Sequence, residues 1–127
     1  MSLAVSQALG EESDVLPRIA SGFGGGIGGS GATCGALVGA IVAVGLRHGR
    51  TNPEDDRGRV TASSQRIFDA FQAEMGATAC RDLTGLDLRT REGGQQLRES
   101  GVAKRVCAPA IQLAERLAIS ELSATDE

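Results

Sequence analysis

Residues 22–46, GFGGGIGGSGATCGALVGAIVAVGL, place a glycine-dense loop directly before a helix of small residues. Seven of the ten residues from Gly22 to Gly31 are glycine, a density that interrupts any preceding helix. From Thr33, a suitable N-cap, a helical pattern runs to about His48. Small residues recur every fourth position in two series: Gly31, Gly35, Gly39 and Ala32, Ala36, Ala40. The repeat predicts a central helix with a smooth face on which other helices pack closely.

The rest of the chain shows helical spacing of apolar residues, which predicts an all-α fold. Further helices are expected over Leu3–Leu9, from about Asp14 to the glycine loop with Pro17 in the first turn, over Val60–Met75, from Thr78 to Gly85, and from about Pro109 onward. Residues 85–101 are expected to be irregular except for a helical turn at Gln95–Arg98, and the tail, 123–127, is expected to fray.

Three helices carry an apolar stripe that should face the core. The predicted inner residues are Val15, Leu16, Ile19, Ala20 and Phe23, then Ser64, Ile67, Phe68, Phe71 and Met75, and finally Cys107, Ile111, Ala114, Leu117 and Ala118. At 127 residues, the chain is expected to form one domain over 1–127, a small helical bundle around the glycine- and alanine-rich helix.

Composition excludes several classes of function. A net charge of −3 and scattered arginines disfavour nucleic-acid binding and are typical of solvated helix faces. The 15 uncharged residues Ala32–Leu46 would extend only about 22 Å as a helix, too short for a membrane span. No secretory signal is visible in residues 1–10, so we expect a cytoplasmic protein whose three cysteines form no structural disulfide.

The glycine loop matches GxGxxG twice, at Gly24–Gly29 and Gly26–Gly31. The dinucleotide-binding motif also requires a preceding strand, whereas Pro17–Phe23 is predicted to be helical, and no GK[ST] follows. Nucleotide binding is therefore disfavoured. Glycine instead permits close backbone approach and anion-binding N–H groups. The glycines predicted to contact a cofactor are Gly24, Gly25, Gly26, Gly28 and Gly35.

The cysteines are the residues best able to carry chemistry. Cys34 follows the Thr33 cap, Cys80 lies beside Arg81, and Cys107 lies two residues before Pro109. Helix N-termini and neighbouring cations lower a thiol pKa, so the positions predict reactive thiolates. Free cysteines are also among the most buried residues, and inert packing stays open as an alternative.

The remaining polar residues offer no second site. His48 is the only histidine and sits at the expected end of the central helix, where the helix dipole favours it. Asp55 and Asp56 belong to a solvated loop. No Ser/His/Asp triad can be assembled around one histidine, so hydrolase chemistry is disfavoured.

Three stretches carry a resemblance to a known family: LPRIASGFGGGIG from Leu16, TCGALVGA from Thr33 and VGLRHGR from Val44. Together with FQAEMG from Phe71, CRDL from Cys80 and Cys107, in this order, they resemble the C_GCAxxG_C_C family, which is named for its cysteine pattern and associated with redox activity. The resemblance covers roughly residues 3–122.

The resemblance implies a small helical domain whose cysteines converge on a redox centre. Similar domains occur in split-Soret-type cytochromes, where an iron–sulfur-like centre is associated with the cysteines. By motif position, the implied ligands and redox residues are Cys34, Cys80 and Cys107. The family pattern begins with a further cysteine in the first helix, which this chain lacks. A site of three cysteines is therefore expected, completed by water, an exogenous ligand or a residue of a second subunit.

Three functional hypotheses follow. The preferred one is an electron-transfer module, a component of an oxidoreductase, with an iron–sulfur-type centre held by the three cysteines. The second is metal-free thiol–disulfide chemistry. The third is an assembly module with inert cysteines, since the small-residue helix also suits a homodimer. The redox partner is not indicated by any residue. We predict that the three sulfurs share one site, lined by the backbone of Gly24–Gly31 and partly open to solvent.

Overall fold

The computed structural model describes residues 15–125, with side chains through residue 123. It contains six α-helices over that range: α1 (Leu16–Ala20), α2 (Gly35–His48), α3 (Gly58–Met75), α4 (Cys80–Thr84), α5 (Arg91–Glu99) and α6 (Ala108–Thr125). A π-helical turn, Ala103–Cys107, runs directly into α6. No β-strand occurs in residues 15–125, so the predicted all-α fold is confirmed. The predicted helix Leu3–Leu9 and the start at Asp14 lie outside the described residues.

Three helices, α2, α3 and α6, pack pairwise to form the core. The central helix contributes Leu37, Ala40 and Val44, all fully buried, and α3 contributes Ile67 and Phe71. From α6 the core receives Leu113, Ala114, Ala118 and Leu122. The small side chains of α2 and α6 allow close approach of the helices, as the four-residue repeat predicted. Within residues 15–125, no helix combines the length and apolarity that a bilayer span requires.

Glycines end the helices at two predicted points. Gly76 follows α3 with φ +82° and Gly85 follows α4 with φ +71°, and each donates its N–H to a carbonyl four residues earlier. This left-handed conformation is a frequent helix terminus and favours glycine. The stops at Gly76 and Gly85 are therefore confirmed.

Several predicted boundaries are wrong for identifiable reasons. Residues 91–99 form α5 rather than an irregular segment, because Thr90 caps it by accepting the Gly93 N–H at 2.9 Å. The central helix starts at Gly35 because Thr33 is instead engaged in an isolated antiparallel bridge with Ala79. The helical tail persists to Thr125.

The stripe predicted for the last helix is partly wrong. Ala114 and Ala118 are buried as expected, but Ile111 is 45% exposed. Leu113 is buried in addition, whereas Ile111 lies near the start of α6 and outside the core. Ile111 instead lines a cavity between α6 and the glycine loop.

Candidate functional site

A single cavity contacts all three cysteines. It has a volume of about 280 Å³ and lies between the glycine loop, the start of α2, α4, the π turn and α6. Its walls comprise Ala20, Phe23, Gly24, Gly25, Gly26, Cys34, Gly35, Ala36, Gly39, Cys80, Leu88, Leu97, Cys107 and Ile111. Cysteines separated by 45 and 26 intervening residues thus meet at one place.

The backbone pairing of two chain segments positions Cys34 and Cys80. Cys34 donates its N–H to the Thr78 carbonyl at 2.8 Å, and Cys80 donates to the Ala32 carbonyl at 2.7 Å. These bonds flank the Thr33–Ala79 bridge. Because side chains alternate along extended backbone, Cys34 and Cys80 share the face opposite to the bridged residues.

Cys107 reaches the cavity from the end of the π-helical turn Ala103–Cys107. The turn follows Gly101, whose φ is +81°, and it packs against α4, the helix that begins with Cys80. A π turn inserts one residue into the helical register and is often found at functional sites. Here it brings a third thiol to the wall formed by the other two.

The glycine loop has an unusual backbone. Five consecutive residues, Gly25 to Gly29, have φ between +61° and +76°, and Ile27 is the non-glycine among them. Backbone hydrogen bonds between residues six apart hold the loop. The Gly31 N–H donates to the Gly25 carbonyl at 3.0 Å, and the Ala32 N–H donates to the Gly26 carbonyl at 3.0 Å. Residues with side chains rarely adopt this conformation, so the glycine density of the sequence is what permits the loop.

Three glycines of the cavity wall leave no room for a side chain, and a Cβ on Gly25 would lie 2.8 Å from the Gly29 Cα. A Cβ on Gly26 would lie 2.7 Å from the Cys80 Cβ and 2.5 Å from the Ala32 carbonyl oxygen. A Cβ on Gly35 would lie 2.7 Å from the Phe23 carbonyl oxygen. Glycine at position 26 lets the loop backbone approach Cys80 directly, and glycine at position 35 lets the start of α2 approach the Phe23 backbone.

The N–H groups of Gly25 and Gly26 have no acceptor among residues 15–125, although both residues line the cavity and Gly26 is buried. Buried backbone donors are nearly always paired. These donors are therefore available to an anionic or sulfur-containing group placed in the cavity.

Burial raises the pKa of Cys80 above the ordinary 9.0, and the nearby Cys34 charge raises it further, while a hydrogen bond with Thr84 acts in the opposite direction. Burial also raises the pKa of Cys107, followed by the charges of Cys80 and Cys34. The predicted lowering of these two pKa values is wrong. The apolar cavity disfavours thiolates, α4 has only five residues, and Cys107 ends a π turn rather than beginning a helix.

The described part of the chain shows no formed metal site. Among residues 15–125, no three or more His, Cys, Asp or Glu side chains are grouped to hold a metal ion. All three cysteines are free thiols, with Cys80 buried and Cys34 and Cys107 half-buried. The structure thus shows a shared cavity and not an assembled ligand cluster.

Not every predicted contact lies at this cavity. Gly24, Gly25, Gly26 and Gly35 belong to its wall, whereas Gly28 does not, and a Cβ on Gly28 would meet nothing within 4 Å. Sequence analysis missed the apolar wall residues Leu88 and Leu97, since Leu88 lies in a segment expected to be irregular and Leu97 in a short helical turn to which no contact was assigned. Ile111 was assigned to the core, and Phe23 was identified only as part of a helical stripe.

Comparison with known proteins gives one result. A search of curated proteins and a search of solved structures found no match. A family model described as "Putative redox-active protein (C_GCAxxG_C_C)" matches residues 1–119, which include the glycine loop and all three cysteines. With most of the chain matched, this protein belongs to the C_GCAxxG_C_C family.

Proposed function

We propose that the protein is an electron-transfer module and that the cysteine cavity is its redox centre. Cys34, Cys80 and Cys107 would act as thiolate ligands of an iron–sulfur-type centre, which gains and loses single electrons when bound. The observation that carries the proposal is the meeting of all three cysteines at one cavity. Membership of a family described as redox-active supports it.

The empty volume beside the thiols argues against inert packing. Ligand sites are typically concave clefts lined mainly by apolar side chains with a few polar groups. Cysteines that serve only as small hydrophobic residues would be enclosed by neighbouring side chains, whereas these three border about 280 Å³ of space. The volume supports a site that receives a group.

The electrostatics indicate what kind of group would be bound. In an apolar cavity the thiolates of Cys80 and Cys107 are disfavoured by burial, and the charge of Cys34 disfavours both further. A positively charged metal centre reverses this balance and stabilises coordinated thiolates. The unpaired N–H groups of Gly25 and Gly26 would then donate to sulfur atoms, and such hydrogen bonds raise the reduction potential of a cluster.

The spacing of Cys34 and Cys80 supports a group lying between them. Cys34 is opposite Thr78 in the bridge, so Cys80 is its diagonal neighbour. Diagonal neighbours lie roughly 7–8 Å apart between Cα atoms. A disulfide requires a Cα separation of about 4.4–6.8 Å, so at the spacing of a regular sheet direct bonding would need backbone movement.

The donor set is incomplete for a four-thiolate centre. Besides the three cysteines, the cavity wall contains no His, Asp or Glu among the described residues. We propose that an exogenous ligand, water or a residue of a second subunit completes it. Homodimer formation and cytoplasmic location remain predictions.

The test is anaerobic reconstitution of the protein with ferrous iron and sulfide, followed by metal and sulfide analysis and a visible spectrum. We expect bound iron, bound sulfide and visible absorption in the wild type. Cys34→Ser, Cys80→Ser and Cys107→Ser should each lose most of the iron, while Ala73→Ser, at an exposed site on α3, should retain it. A colourless, iron-free wild type with intact helical circular dichroism would refute the cluster.

A second function, metal-free thiol–disulfide exchange, is favoured by one observation: no group of three donors for a metal ion exists among residues 15–125. In this case one thiolate attacks a disulfide substrate and releases its first thiol, and a second cysteine then attacks the mixed disulfide and releases the second. The protein loses two electrons and two protons and forms a disulfide, while the substrate becomes two thiols.

Thiol titration after incubation with oxidised glutathione tests this function. Loss of two of the three free thiols, with the protein mass reduced by two hydrogens, would support exchange. Retention of all three thiols would exclude it. If the protein neither binds iron nor exchanges thiols, the remaining hypothesis is the assembly module, and substitution of all three cysteines should then change no measured property.

A further inference from the structure

The chain carries an uneven charge distribution around the cysteine cavity. Residues 81–105 contain six basic and four acidic side chains, which gives +2, although the whole chain carries −3. The segment includes α4, α5 and most of the π turn. This part of the chain, which contributes Leu88 and Leu97 to the cavity wall, therefore carries a net positive charge.

Two arginines of this segment lie against the glycine loop. Arg81 follows Cys80, and a Cβ on Gly31 would lie 3.1 Å from the Arg81 Cβ and 3.2 Å from its Nε. Arg89 donates from Nη2 to the Ser30 Oγ at 3.1 Å. The first part of the same loop walls the cavity, so both arginines pack on an element that surrounds it.

Two further cations precede Cys107 in the π turn. Lys104 and Arg105 are exposed, and Arg105 donates from Nη1 to the Ser100 carbonyl at 2.7 Å. The π turn packs against α4, which carries Arg81. Asp87 lies 3.5 Å from Arg81 and offsets part of this charge. We call Arg81, Arg89, Lys104 and Arg105 the basic rim.

Two exposed isoleucines belong to elements that surround the cavity, the glycine loop and α6. Ile111 lines the cavity and is 45% exposed. Ile27, in the glycine loop, is 43% exposed and has φ +67°, a conformation that a β-branched residue adopts at a cost. An apolar centre with a charged periphery is typical of protein interfaces.

The positive charges of the basic rim distinguish between the molecules that could bind there. A symmetric second copy would bring the basic rim against itself. Nucleic acid requires a longer run of cations than four interspersed with carboxylates. We propose that the basic rim, with Ile27 and Ile111, is the docking surface for an acidic electron-carrier protein. This inference rests on the proposed function, since it places the carrier over the redox centre.

The test measures binding of the full chain to a plant-type [2Fe–2S] ferredoxin, used as an acidic one-electron carrier, by titration calorimetry at several salt concentrations. Affinity should fall steeply with salt, because opposite charges attract over about 8–10 Å at moderate ionic strength. Arg89→Glu/Lys104→Glu should weaken binding at least tenfold at low salt. Cytochrome c, a basic carrier, should bind the wild type weakly and this variant more tightly.

The matched control reverses two charges at the opposite end of the bundle. Arg50→Glu/Arg57→Glu lies in the loop after α2, whose 14 residues place that loop about 20 Å from the cavity. This variant should bind ferredoxin within about twofold of the wild type once salt exceeds 0.1 M. Equal weakening by both double variants, or binding independent of salt, would overturn the proposal.

The binding assay separates the two proposals. Cys34→Ser/Cys80→Ser/Cys107→Ser should bind the acidic carrier in the same salt-dependent way although it cannot be redox-active. If the wild type proves to contain no redox centre but this binding persists, the docking surface stands and the proposed function fails. If iron is bound but the acidic carrier is not, the docking surface fails alone.

Discussion

The backbone of Gly26 lies directly against the side chain of Cys80: a Cβ on this glycine would stand 2.7 Å from the Cys80 Cβ. The glycine loop and the buried thiol therefore form a single structural unit. Gly26 also has φ +69°, so the position excludes side chains for two independent reasons. The relationship links the glycine density of the sequence to the geometry of the cavity.

Gly26→Ala should destabilise the protein by about 2–4 kcal/mol, since the methyl group adds a steric overlap to the strain of positive φ. Gly28→Ala is the matched control, with φ +61° but nothing within 4 Å of the new Cβ. It should cost only about 1–2 kcal/mol. Urea unfolding of both variants measures the difference. Equal losses would mean that the contact with Cys80 is not tight.

The adjacent glycines of α5 should respond in opposite directions to the same substitution. A Cβ on Gly93 would lie within 1.9 Å of the Asp87 carbonyl oxygen, so Gly93→Ala should displace the segment before the helix and destabilise the fold. Gly94 meets only Arg98 Nη1, at 3.6 Å. Gly94→Ala should stabilise the protein by about 0.5–1 kcal/mol, because alanine is the better helix former.

Thermal unfolding of the two variants tests this prediction. A lower melting temperature for Gly93→Ala together with a higher one for Gly94→Ala is expected. If both substitutions stabilise the protein, α5 does not pack on Asp87 as described.

Alkaline pH should destabilise the metal-free protein. The pKa of Cys80 is higher in the folded state than its ordinary value of 9.0, and the pKa of Cys107 is also raised. The folded state thus holds protons that the unfolded chain releases, and stability falls as pH rises above about 9. The chain has no tyrosine and one lysine, so few other side chains titrate in this range.

Unfolding free energies at pH 7, 9 and 10 measure the effect. Cys80→Ala should flatten the decline between pH 9 and 10, whereas Ala73→Ser should leave it unchanged. A variant curve parallel to that of the wild type would show that Cys80 ionises equally easily in both states.

A long-range ion pair between α3 and α6 should add stability that is lost in acid. Arg66 donates from Nε to the Glu121 Oε1 at 2.7 Å and also contacts it through Nη2. This hydrogen bond, opposed by burial and helped by Ser63, lowers the pKa of Glu121 below the ordinary 4.5. The contribution is therefore complete above pH 4.5 and disappears as pH falls through the lowered folded pKa.

Glu121→Gln should be less stable than the wild type at pH 7, and the difference should shrink near pH 3. Glu115→Gln, on the same helix, is the control and should show no such convergence. A constant difference at all pH values would indicate that packing of residue 121, and not its charge, stabilises the helix pair.

The sequence by itself determined the helical class, the central helix and the two glycine stops. Each rests on a local rule: apolar residues at helical spacing, small residues every fourth position, and glycine where φ is positive. The grouping of Cys34, Cys80 and Cys107 was also predictable, although through the family resemblance and not from their spacing. Local rules carry no information on which distant segments meet.

Tertiary structure alone decided the features that depend on contacts between distant segments. Pairing of Thr33 with Ala79 moved the start of the central helix and aligned two cysteines on one face. The π turn at Ala103–Cys107 carries Cys107 to the cavity, and the first turn of α6 places Ile111 beside it. The thiol pKa values were mispredicted because the prediction used only the position of each cysteine near a helix start, which can be inferred from the sequence. Desolvation of the thiols by Phe23, Leu88 and Leu97 exists only once the cavity has assembled.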